Sequence, residues 1–231
     1  MATGSPWSGQ SLLADSIAVM AFDWNGTLAD DSDRAWGATC LVLEQRGLVR
    51  PSVVQHLADF RLPLTSHFAH YGIHDRLPEA IDDWNTAMAQ SSAKSMRGAR
   101  KLLQQLSAAG VVIAVVSAAS AEVIEHDLAH MGLKDYVHLM FADADPKRAA
   151  LAELARTNEG PVAFLGDTEY DMREARAAGA IAIGFAGGYR PAAALVDAGA
   201  EYVVDRLEDL WHLTPDGRAG RSLSPAKGGD P

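Results

Sequence analysis

Several short stretches of this chain are apolar at every position rather than at alternate positions. They are residues 17–22, 111–116, 162–165 and 180–184, with a weaker fifth at Tyr202–Val204. Strands of this kind are buried on both faces, which is typical of parallel sheets that are covered by helices on either side. The chain is therefore constrained to a fold with a parallel sheet at its centre.

Helical patterns lie between these apolar runs. They cover residues 98–109, 121–131, 146–157 and 168–178, and a glycine follows three of them, at Gly110, Gly132 and Gly179. Glycine is common just past a helix end because it adopts the left-handed conformation without strain. Strands that alternate with helices predict βαβ units, so the predicted fold class is α/β with a doubly wound parallel sheet.

The segment from residue 30 to residue 95 does not follow this alternation. It has helical periodicity without a strand-like run, and turn residues interrupt it at 47–51, Pro63, Gly72 and Pro78. We predict a small all-helical cap at 30–95, inserted after the first strand into a core made of 17–29 and 96–213. The ends, 1–16 and 214–231, are predicted to be flexible tails.

Composition and charge narrow the class of partner. The net charge of −10 argues against a nucleic acid or an anionic membrane surface, because both attract basic faces. No apolar run reaches the ~20 residues that a membrane span needs. The single cysteine, Cys40, excludes an internal disulfide and indicates a reducing cytoplasm. No feature of the sequence indicates an oligomeric state.

Polar residues follow directly after three predicted strands, at the sheet edge where parallel sheets bind ligands. Asp23, Ser117 and Asp167 follow the first, second and third strands, and Asp171 and Lys147 lie on neighbouring segments. Carboxylates that converge on one edge repel each other unless a cation neutralises them, and their hard oxygen atoms suit Mg²⁺. A hydroxyl and an ammonium can bind phosphate oxygens. The pattern predicts a phosphoryl-transfer site with a carboxylate nucleophile.

Two segments carry a resemblance to a known family. They are Phe22-Asp23-Trp24-Asn25-Gly26-Thr27-Leu28 and Leu165-Gly166-Asp167-Thr168-Glu169-Tyr170-Asp171. These segments resemble the first and fourth motifs of the haloacid dehalogenase superfamily, and Ser117 and Lys147 stand in the order of the second and third. The resemblance covers residues 17–213, and the cap is similar to that of phosphoglycolate-phosphatase relatives.

The resemblance implies a nucleophile and a metal site. Asp23 is implied to be the nucleophile and a Mg²⁺ ligand, with the backbone carbonyl of Asn25 and the carboxylate of Asp167 as further ligands. Asp171 is implied to support the metal shell or the lysine of the third motif.

The resemblance also implies how a substrate is held. Ser117 and Lys147 are implied to hold the phosphoryl group. Further predicted substrate contacts, beside the motifs and in the cap, are Thr27, Ala118, Arg61 and His67.

The first motif departs from the family at Asn25. Most phosphatases of the family carry an Asp there, which protonates the leaving group and then activates water, and an amide can do neither. Losing a general acid/base costs about 10²–10⁴ in rate. Three readings stay open: a substrate with a good leaving group, a proton from a cap residue such as Asp59, His67 or His70, and a weak or inactive relative.

Simpler roles compete for three of the site residues. Ser117 is also placed to be the N-cap of the following helix. Lys147 follows Asp143 and Asp145, with which it can form a solvated ion pair. Asp171 can cap a helix or pair with a neighbouring arginine.

Other activities of the family fit the sequence less well. A phosphonatase needs a cap lysine, and residues 30–93 contain none. A haloacid dehalogenase has no use for Asp167, and a phosphomutase needs the acid/base that Asn25 lacks. The predicted function is therefore a Mg²⁺-dependent phosphohydrolase that removes phosphate from a small phosphorylated metabolite through an aspartyl-phosphate on Asp23. The alternative is a weakened relative that binds phosphorylated ligands in a regulatory or accessory role.

Overall fold

The structure is a computed structural model that describes residues 17–213. The tails predicted at 1–16 and 214–231 lie outside the described residues. The strands, numbered along the chain, are β1 Val19–Phe22, β2 Ala29–Asp30, β3 Lys94–Ser95, β4 Val112–Val116, β5 Leu139–Phe141, β6 Val162–Gly166, β7 Ile181–Phe185 and β8 Tyr202–Val204.

The helices fall into a cap group and a core group. Those of the cap are α1 Ser32–Gln45, α2 Val53–Asp59, α3 Leu64–His70 and α4 Leu77–Ala89. Those of the core are α5 Ala99–Ala108, α6 Ala121–Met131, α7 Lys147–Thr157, α8 Glu169–Ala177, α9 Ala192–Asp197 and α10 Leu207–Leu210. Between residues 17 and 213, none of the helices is both long and apolar enough to cross a membrane.

One parallel sheet forms the centre of the core. Its strand order is β5-β4-β1-β6-β7-β8. Strand β1 lies between β4 and β6, with Phe22 paired to Val115 on one side and to Leu165 on the other. The chain winds outward from β1 in both directions, so the predicted doubly wound sheet is confirmed. The carboxyl end of β1 is the switch point at which such sheets bind ligands.

The core helices predicted from the sequence are confirmed as α5 to α8, with nearly the predicted bounds. Gly132 follows α6 with a φ of 61°, and Gly179 closes the turn after α8 with a φ of 73°. The left-handed backbone at these two positions ends each helix and turns the chain back toward the sheet.

Two strand pairings were absent from the prediction. Strand β5 lies at an edge of the sheet and is partly exposed, and its apolar run of three residues is too short to predict a strand. Strands β2 and β3 form a two-stranded antiparallel ribbon where the chain enters and leaves the cap. Strands of two residues have no sequence signature, because only the tertiary fold brings them together.

Apolar side chains form one cluster on each face of the sheet and a third within the cap. Phe22 belongs to one sheet cluster and Phe164 to the other. The cap cluster contains Phe68 and Trp84 and extends to Tyr189 of the core. The helical cap inserted after the first strand is thus confirmed, and it packs on the core through a shared apolar contact.

A buried ion pair also ties the cap to the core. Asp127 of α6 is fully buried, and its carboxylate accepts hydrogen bonds from the guanidinium of Arg34 in α1 at 2.6 and 3.0 Å. The same carboxylate accepts from Trp24 Nε1 at 3.3 Å and from the N–H of Ala93 at 3.0 Å. Its negative charge is therefore compensated within the protein.

Replacing Asp127 tests how much this link stabilises the fold. Asp127→Ala is expected to lower the free energy of unfolding by about 3–5 kcal/mol, because it removes the main partner of a buried guanidinium. Urea unfolding followed by circular dichroism measures the loss. The matched control is Asp83→Ala, which breaks a 2.8 Å pair with Arg46 that is open to solvent. The control should lose about 1 kcal/mol or less, and equal losses would contradict the assignment.

Candidate active site

Three strand ends bring the predicted motif residues together. Asp23 follows β1, Ser117 follows β4 and Asp167 follows β6. The N–H of Asp23 donates to the carbonyl of Leu165 at 2.8 Å, which extends the strand pairing to the site. All three motif residues are buried, with at most 3% of each exposed. The site therefore lies at the switch point of the sheet.

The Lys147 ammonium lies fully buried between two carboxylates. Its Nζ atom is 2.7 Å from Asp23 Oδ1 and 2.6 Å from Asp171 Oδ1. Lys147 is the first residue of α7, and the start of this helix carries it beneath the strand ends. The alternative of a solvated ion pair with Asp143 or Asp145 is wrong, because Lys147 has no exposed surface.

The carboxylates of the site carry more negative charge than the lysine can compensate. Asp23, Asp167 and Asp171 each offer an oxygen, and these atoms lie within 4.8 Å of one another. Fully ionised, three carboxylates against the single ammonium of Lys147 would leave two negative charges in a buried site. A set of oxygen donors with this charge fits a hard divalent cation, which Asp23 and Asp167 would hold.

The acidities of these groups reflect the same imbalance. Burial raises the pKa of Asp23 to about 7, although Lys147 lowers it. Burial, followed by the charges of Asp23 and Asp171, raises the pKa of Asp167 well above its ordinary value. Burial alone would lower the pKa of Lys147, but the carboxylates of Asp171 and Asp23 raise it. Lys147 thus stays charged, while the carboxyl groups need a further cation to ionise together.

Asp171 has partners for both of its oxygen atoms. Oδ1 accepts from Lys147, and Oδ2 accepts from the N–H of Thr168 at 3.0 Å and from its hydroxyl at 2.6 Å. Thr168 and Asp171 form a capping box at the start of α8. The helix-capping role and the lysine-binding role are therefore both present, and Asp171 holds Lys147 in place.

Ser117 is not the N-cap of α6, so that alternative is wrong. The N-cap residue is Ser120, and Ser117 Oγ instead accepts from the N–H of Ala119 at 3.2 Å. The Ser117 hydroxyl keeps its proton for another acceptor. Ser117 and Ala118 both line the cavity that Asp23 faces.

The Asn25 amide is held by a carboxylate that the motifs did not point to. Asn25 Nδ2 donates to Asp31 Oδ2, and the N–H of Gly26 donates to Asp31 Oδ1 at 3.0 Å. Burial raises the pKa of Asp31, while Arg34, 3.3 Å away, lowers it. A carboxylate paired with Arg34 only accepts hydrogen bonds, so the amide nitrogen is turned toward Asp31 and the amide oxygen away from it.

Close backbone approaches shape the surroundings of Asp167. Gly26 has a φ of 75°, and a Cβ atom at Gly26 or at Gly188 would collide with the Asp167 carboxylate. The N–H of Tyr189 donates to Asp167 Oδ2 at 2.7 Å. Thr27, predicted to contact the substrate, is fully buried, and its hydroxyl donates to Asp167 Oδ1 at 3.3 Å. Every one of these contacts fixes the orientation of Asp167.

The cap closes the site with an apolar wall, which is formed by Phe60, Leu62, Leu64 and Trp84. These residues line one cavity together with Asp23, Asn25 and Ser117. The free volume of the cavity is about 20 Å³, which is room for about one water molecule. Entry of a phosphate ester therefore requires the wall to move away from Asp23.

Comparison with known proteins agrees with this geometry. A family model described as haloacid dehalogenase-like hydrolase matches residues 20–185. The chain belongs to this family. The matched range runs from β1 to β7 and includes every motif residue of the site.

Individual relatives of this haloacid dehalogenase-like hydrolase are distant. A phosphoglycolate phosphatase of Pectobacterium atrosepticum is 28% identical over 145 residues, which are 58% of this chain and 61% of that protein. The chain thus spans about three fifths of the length of that curated relative.

Solved structures show the same fold. A predicted phosphatase from Clostridium acetobutylicum is 21% identical with a TM-score of 0.76, covering 85% of this chain and 98% of that one. A mutant of CbbY from Rhodobacter sphaeroides in complex with xylulose-1,5-bisphosphate is 21% identical with a TM-score of 0.65, covering 83% and 95%.

Two cap residues that were predicted to contact the substrate lie elsewhere in this hydrolase. Neither Arg61 nor His67 lines the cavity described above. Arg61 Nε donates to the carbonyl of Asp59 at the surface. His67 is fully buried inside the cap, with Nε2 3.3 Å from Thr39 Oγ1. Its neighbour His56 is also fully buried, and its two ring nitrogens have no hydrogen-bond partner among residues 17–213.

A core segment after β7 reaches back to the cap. The Tyr189 ring stacks on Phe60 with centroids 4.5 Å apart. Arg190 pairs with Glu169 at 2.9 Å and donates to the cap carbonyls of Leu57 and Phe60. The residue that binds Asp167 through its N–H therefore also touches the apolar wall. Sequence reasoning missed both residues because the segment has no motif of its own.

Burial of His56 gives this hydrolase a pH-dependent stability. Burial lowers the pKa of His56 from 6.5 to about 4. In the unfolded chain His56 therefore binds a proton below about pH 6.5, whereas in the folded chain it binds one only below about pH 4. Stability from this residue is complete above pH 6.5 and is lost as the pH falls toward 4.

Replacing His56 by leucine tests this linkage. We compare the free energy of unfolding of His56→Leu with that of wild type at two pH values. The difference, variant minus wild type, is expected to be about 2 kcal/mol larger at pH 5 than at pH 7. Urea unfolding of both proteins at both pH values measures the difference. A gain of the same size at both pH values would show that His56 titrates normally in the folded cap.

Proposed function

We propose that this chain is a Mg²⁺-dependent phosphohydrolase that removes phosphate from a small phosphorylated metabolite through an aspartyl-phosphate on Asp23. The observation that carries the proposal is the buried Lys147 ammonium bonded to both Asp23 and Asp171, with Asp167 beside them. Burying three carboxylates against one ammonium destabilises a fold. A site that binds a cation and a phosphate is the arrangement that accounts for it.

The two oxygens of Asp23 have different surroundings. Oδ1 accepts from Lys147 and from the N–H of Trp24 at 2.7 Å, and Oδ2 receives no hydrogen bond from residues 17–213. In the proposed reaction Oδ2 attacks phosphorus, and the bond from phosphorus to the organic oxygen breaks with its electron pair on that oxygen. Lys147 has a further N–H for a phosphoryl oxygen, and the Ser117 hydroxyl can donate to another.

The second half of the reaction frees the nucleophile. Water attacks the phosphorus of the aspartyl-phosphate, the bond to Asp23 Oδ2 breaks, and a water proton passes to the phosphate product. The Asn25 amide oxygen can accept a hydrogen bond from this water but cannot take its proton.

The proposed metal is Mg²⁺, with Asp23, Asp167 and the backbone carbonyl of Asn25 as its protein ligands. Bound there, it would neutralise charge on the phosphoryl group and lower the pKa of Asp23. Asp171 would act on the metal shell only indirectly, since its oxygens already bind Lys147 and Thr168.

The lining of the cavity bears on the three explanations for an amide at position 25. Asp59, His67 and His70 do not line the cavity, so we do not assign the proton to the cap. We favour a substrate whose organic part leaves easily, because such a group needs little protonation. The amide itself favours the second candidate, a relative that binds phosphorylated ligands and turns them over slowly.

The substrate class that we propose is supported in part by what two relatives act on or bind. The curated relative is a phosphoglycolate phosphatase, and the CbbY mutant was crystallised with a sugar bisphosphate. We propose a small phosphorylated metabolite for this chain, not a nucleic acid. The single free thiol, Cys40, supports the cytoplasm as the place of action.

Acetyl phosphate hydrolysis tests the proposed chemistry without demands on the cap. Wild type is expected to release phosphate only with Mg²⁺, because the site carboxylates repel a phosphate when no cation is bound. Asp23→Asn should release none, because an amide is not a nucleophile. The matched control Asp197→Asn, at an exposed carboxylate that ends α9, should keep wild-type rates. No release by wild type, together with thermal stabilisation by Mg²⁺ and inorganic phosphate, would favour the ligand-binding candidate.

The contact between Asn25 and Asp31 makes a second test sharper. Asn25→Asp alone places a carboxylate against the buried Asp31 and is expected to destabilise the protein. Asn25→Asp combined with Asp31→Asn exchanges the two groups and keeps a hydrogen bond between them. With a general acid in place, the double variant should hydrolyse an alkyl phosphate about 10²–10⁴ times faster than wild type.

The control for this exchange is a substrate that needs no acid. Acetyl phosphate hydrolysis should rise far less in the double variant, and intact-mass analysis excludes deamidation of Asn25 in the wild type. An unchanged rate on the alkyl phosphate would show that position 25 does not serve as acid/base in this site.

A further inference from the structure

The cap side of the cavity has no means of holding a second charged group. All four residues of the apolar wall, Phe60, Leu62, Leu64 and Trp84, lack charge. Leu62 is half-buried and the other three are at most 6% exposed. These residues come from two separate cap segments and face Asp23 across the cavity.

The arginines near the wall are already engaged or exposed, and burial lowers the pKa of His56 and His67, which pack on Phe60 inside the cap, so that both stay neutral. Arg190 is bound to Glu169 and to cap carbonyls, Arg34 to Asp31 and Asp127, and Arg61 is exposed. None of the residues found to line the cavity is basic. A carboxylate or a second phosphate on the substrate would therefore lose its water without gaining a partner.

One polar atom in the wall lacks a partner. Trp84 is 2% exposed, and its Nε1 is buried without an acceptor among residues 17–213. Buried indole N–H groups usually find a hydrogen-bond partner. The wall thus combines apolar surface with a single buried donor.

We infer that the substrate is a phosphate monoester of an aromatic alcohol, whose ring packs on the apolar wall and carries a neutral acceptor for Trp84 Nε1. This inference rests on the proposed phosphohydrolase function and narrows its substrate class. It excludes esters with a second anionic group, such as phosphoglycolate and sugar bisphosphates. It also agrees with Asn25, because a phenol leaves from phosphorus with little need for a general acid.

Two substrates with alkoxide leaving groups separate recognition of the ring from leaving-group quality. Wild type is expected to hydrolyse benzyl phosphate with a kcat/KM about 10–200 times that for phosphoglycolate, since the ring is buried and the carboxylate is not accommodated. Phenyl phosphate should be faster than benzyl phosphate. A kcat/KM for phosphoglycolate equal to or above that for benzyl phosphate would overturn the inference.

The failure of this inference can be told apart from failure of the proposed function. Acetyl phosphate needs neither the ring nor the wall. Turnover of acetyl phosphate that depends on Asp23, together with a preference for phosphoglycolate, would overturn the aromatic substrate alone. No turnover of any of these esters would overturn the phosphohydrolase and the inference together.

Variants of the wall test its role directly. Leu62→Arg should lower kcat/KM for benzyl phosphate by about 10-fold or more and raise it for phosphoglycolate, because it exchanges apolar surface for a cation. Leu41→Arg, the same change at an exposed position of α1, should alter neither value. A loss for both substrates with Leu62→Arg would show damage to the site and not a change of specificity, and would count against the inference.

The acceptor is tested with the ortho, meta and para methoxybenzyl phosphates. At least one isomer should have a lower KM than benzyl phosphate in wild type, and Trp84→Phe should remove that advantage while keeping an aromatic ring in the wall. If no isomer gains, or if the gain survives Trp84→Phe, Trp84 does not bind the substrate through its N–H.

Discussion

The Lys147 ammonium is the group on which the rest of the site depends. It has no exposed surface and sits between Asp23 and Asp171, so these carboxylates tolerate burial only because it is there. Its own position is fixed by Asp171, which is locked into the capping box of α8. The first turns of α7 and α8 thus hold Asp23, the proposed nucleophile, at the end of β1. The three carboxyl groups that meet there, Asp23, Asp167 and Asp171, form an acidic cluster that could hold a metal ion.

The contact between Asn25 and Asp31 shows how the site accommodates an amide. Asn25 Nδ2 donates to Asp31, whose carboxylate is compensated by Arg34 and by the N–H of Gly26. Arg34 is in turn bound to Asp127, the buried residue that ties the cap to the core. A carboxylate at position 25 would disturb this chain of contacts. The amide is therefore part of a buried network that extends into the cap.

The same network relates the cap to the chemistry. The segment after β7 holds Asp167 through the N–H of Tyr189, and the Tyr189 ring stacks on Phe60 of the apolar wall. Tyr189 thus connects the wall, which would contact the organic part of a substrate, to Asp167, which is proposed to bind the metal. An apolar wall and an amide in place of a general acid favour the same kind of substrate, one with an aromatic organic part. The two features favour it for different physical reasons. The wall offers no partner to a charged group that loses its water, and the amide cannot donate a proton to a poor leaving group.

What the sequence determined by itself is the strands β1, β4, β6, β7 and β8, the helices α5 to α8, and the positions of the motif residues Asp23, Ser117, Lys147 and Asp167. Continuous apolar runs that alternate with helical patterns indicate strands of a parallel sheet, and the residues that follow such strands meet at one edge. Strands β2, β3 and β5 were not predictable, because short or partly exposed strands are defined by their partners. The tertiary structure alone decided that Asp31 holds Asn25, that His67 is buried within the cap, and that Phe60 and Trp84 line the same cavity as Asp23. Those contacts join residues far apart in the chain, and their geometry depends on how the cap packs on the core.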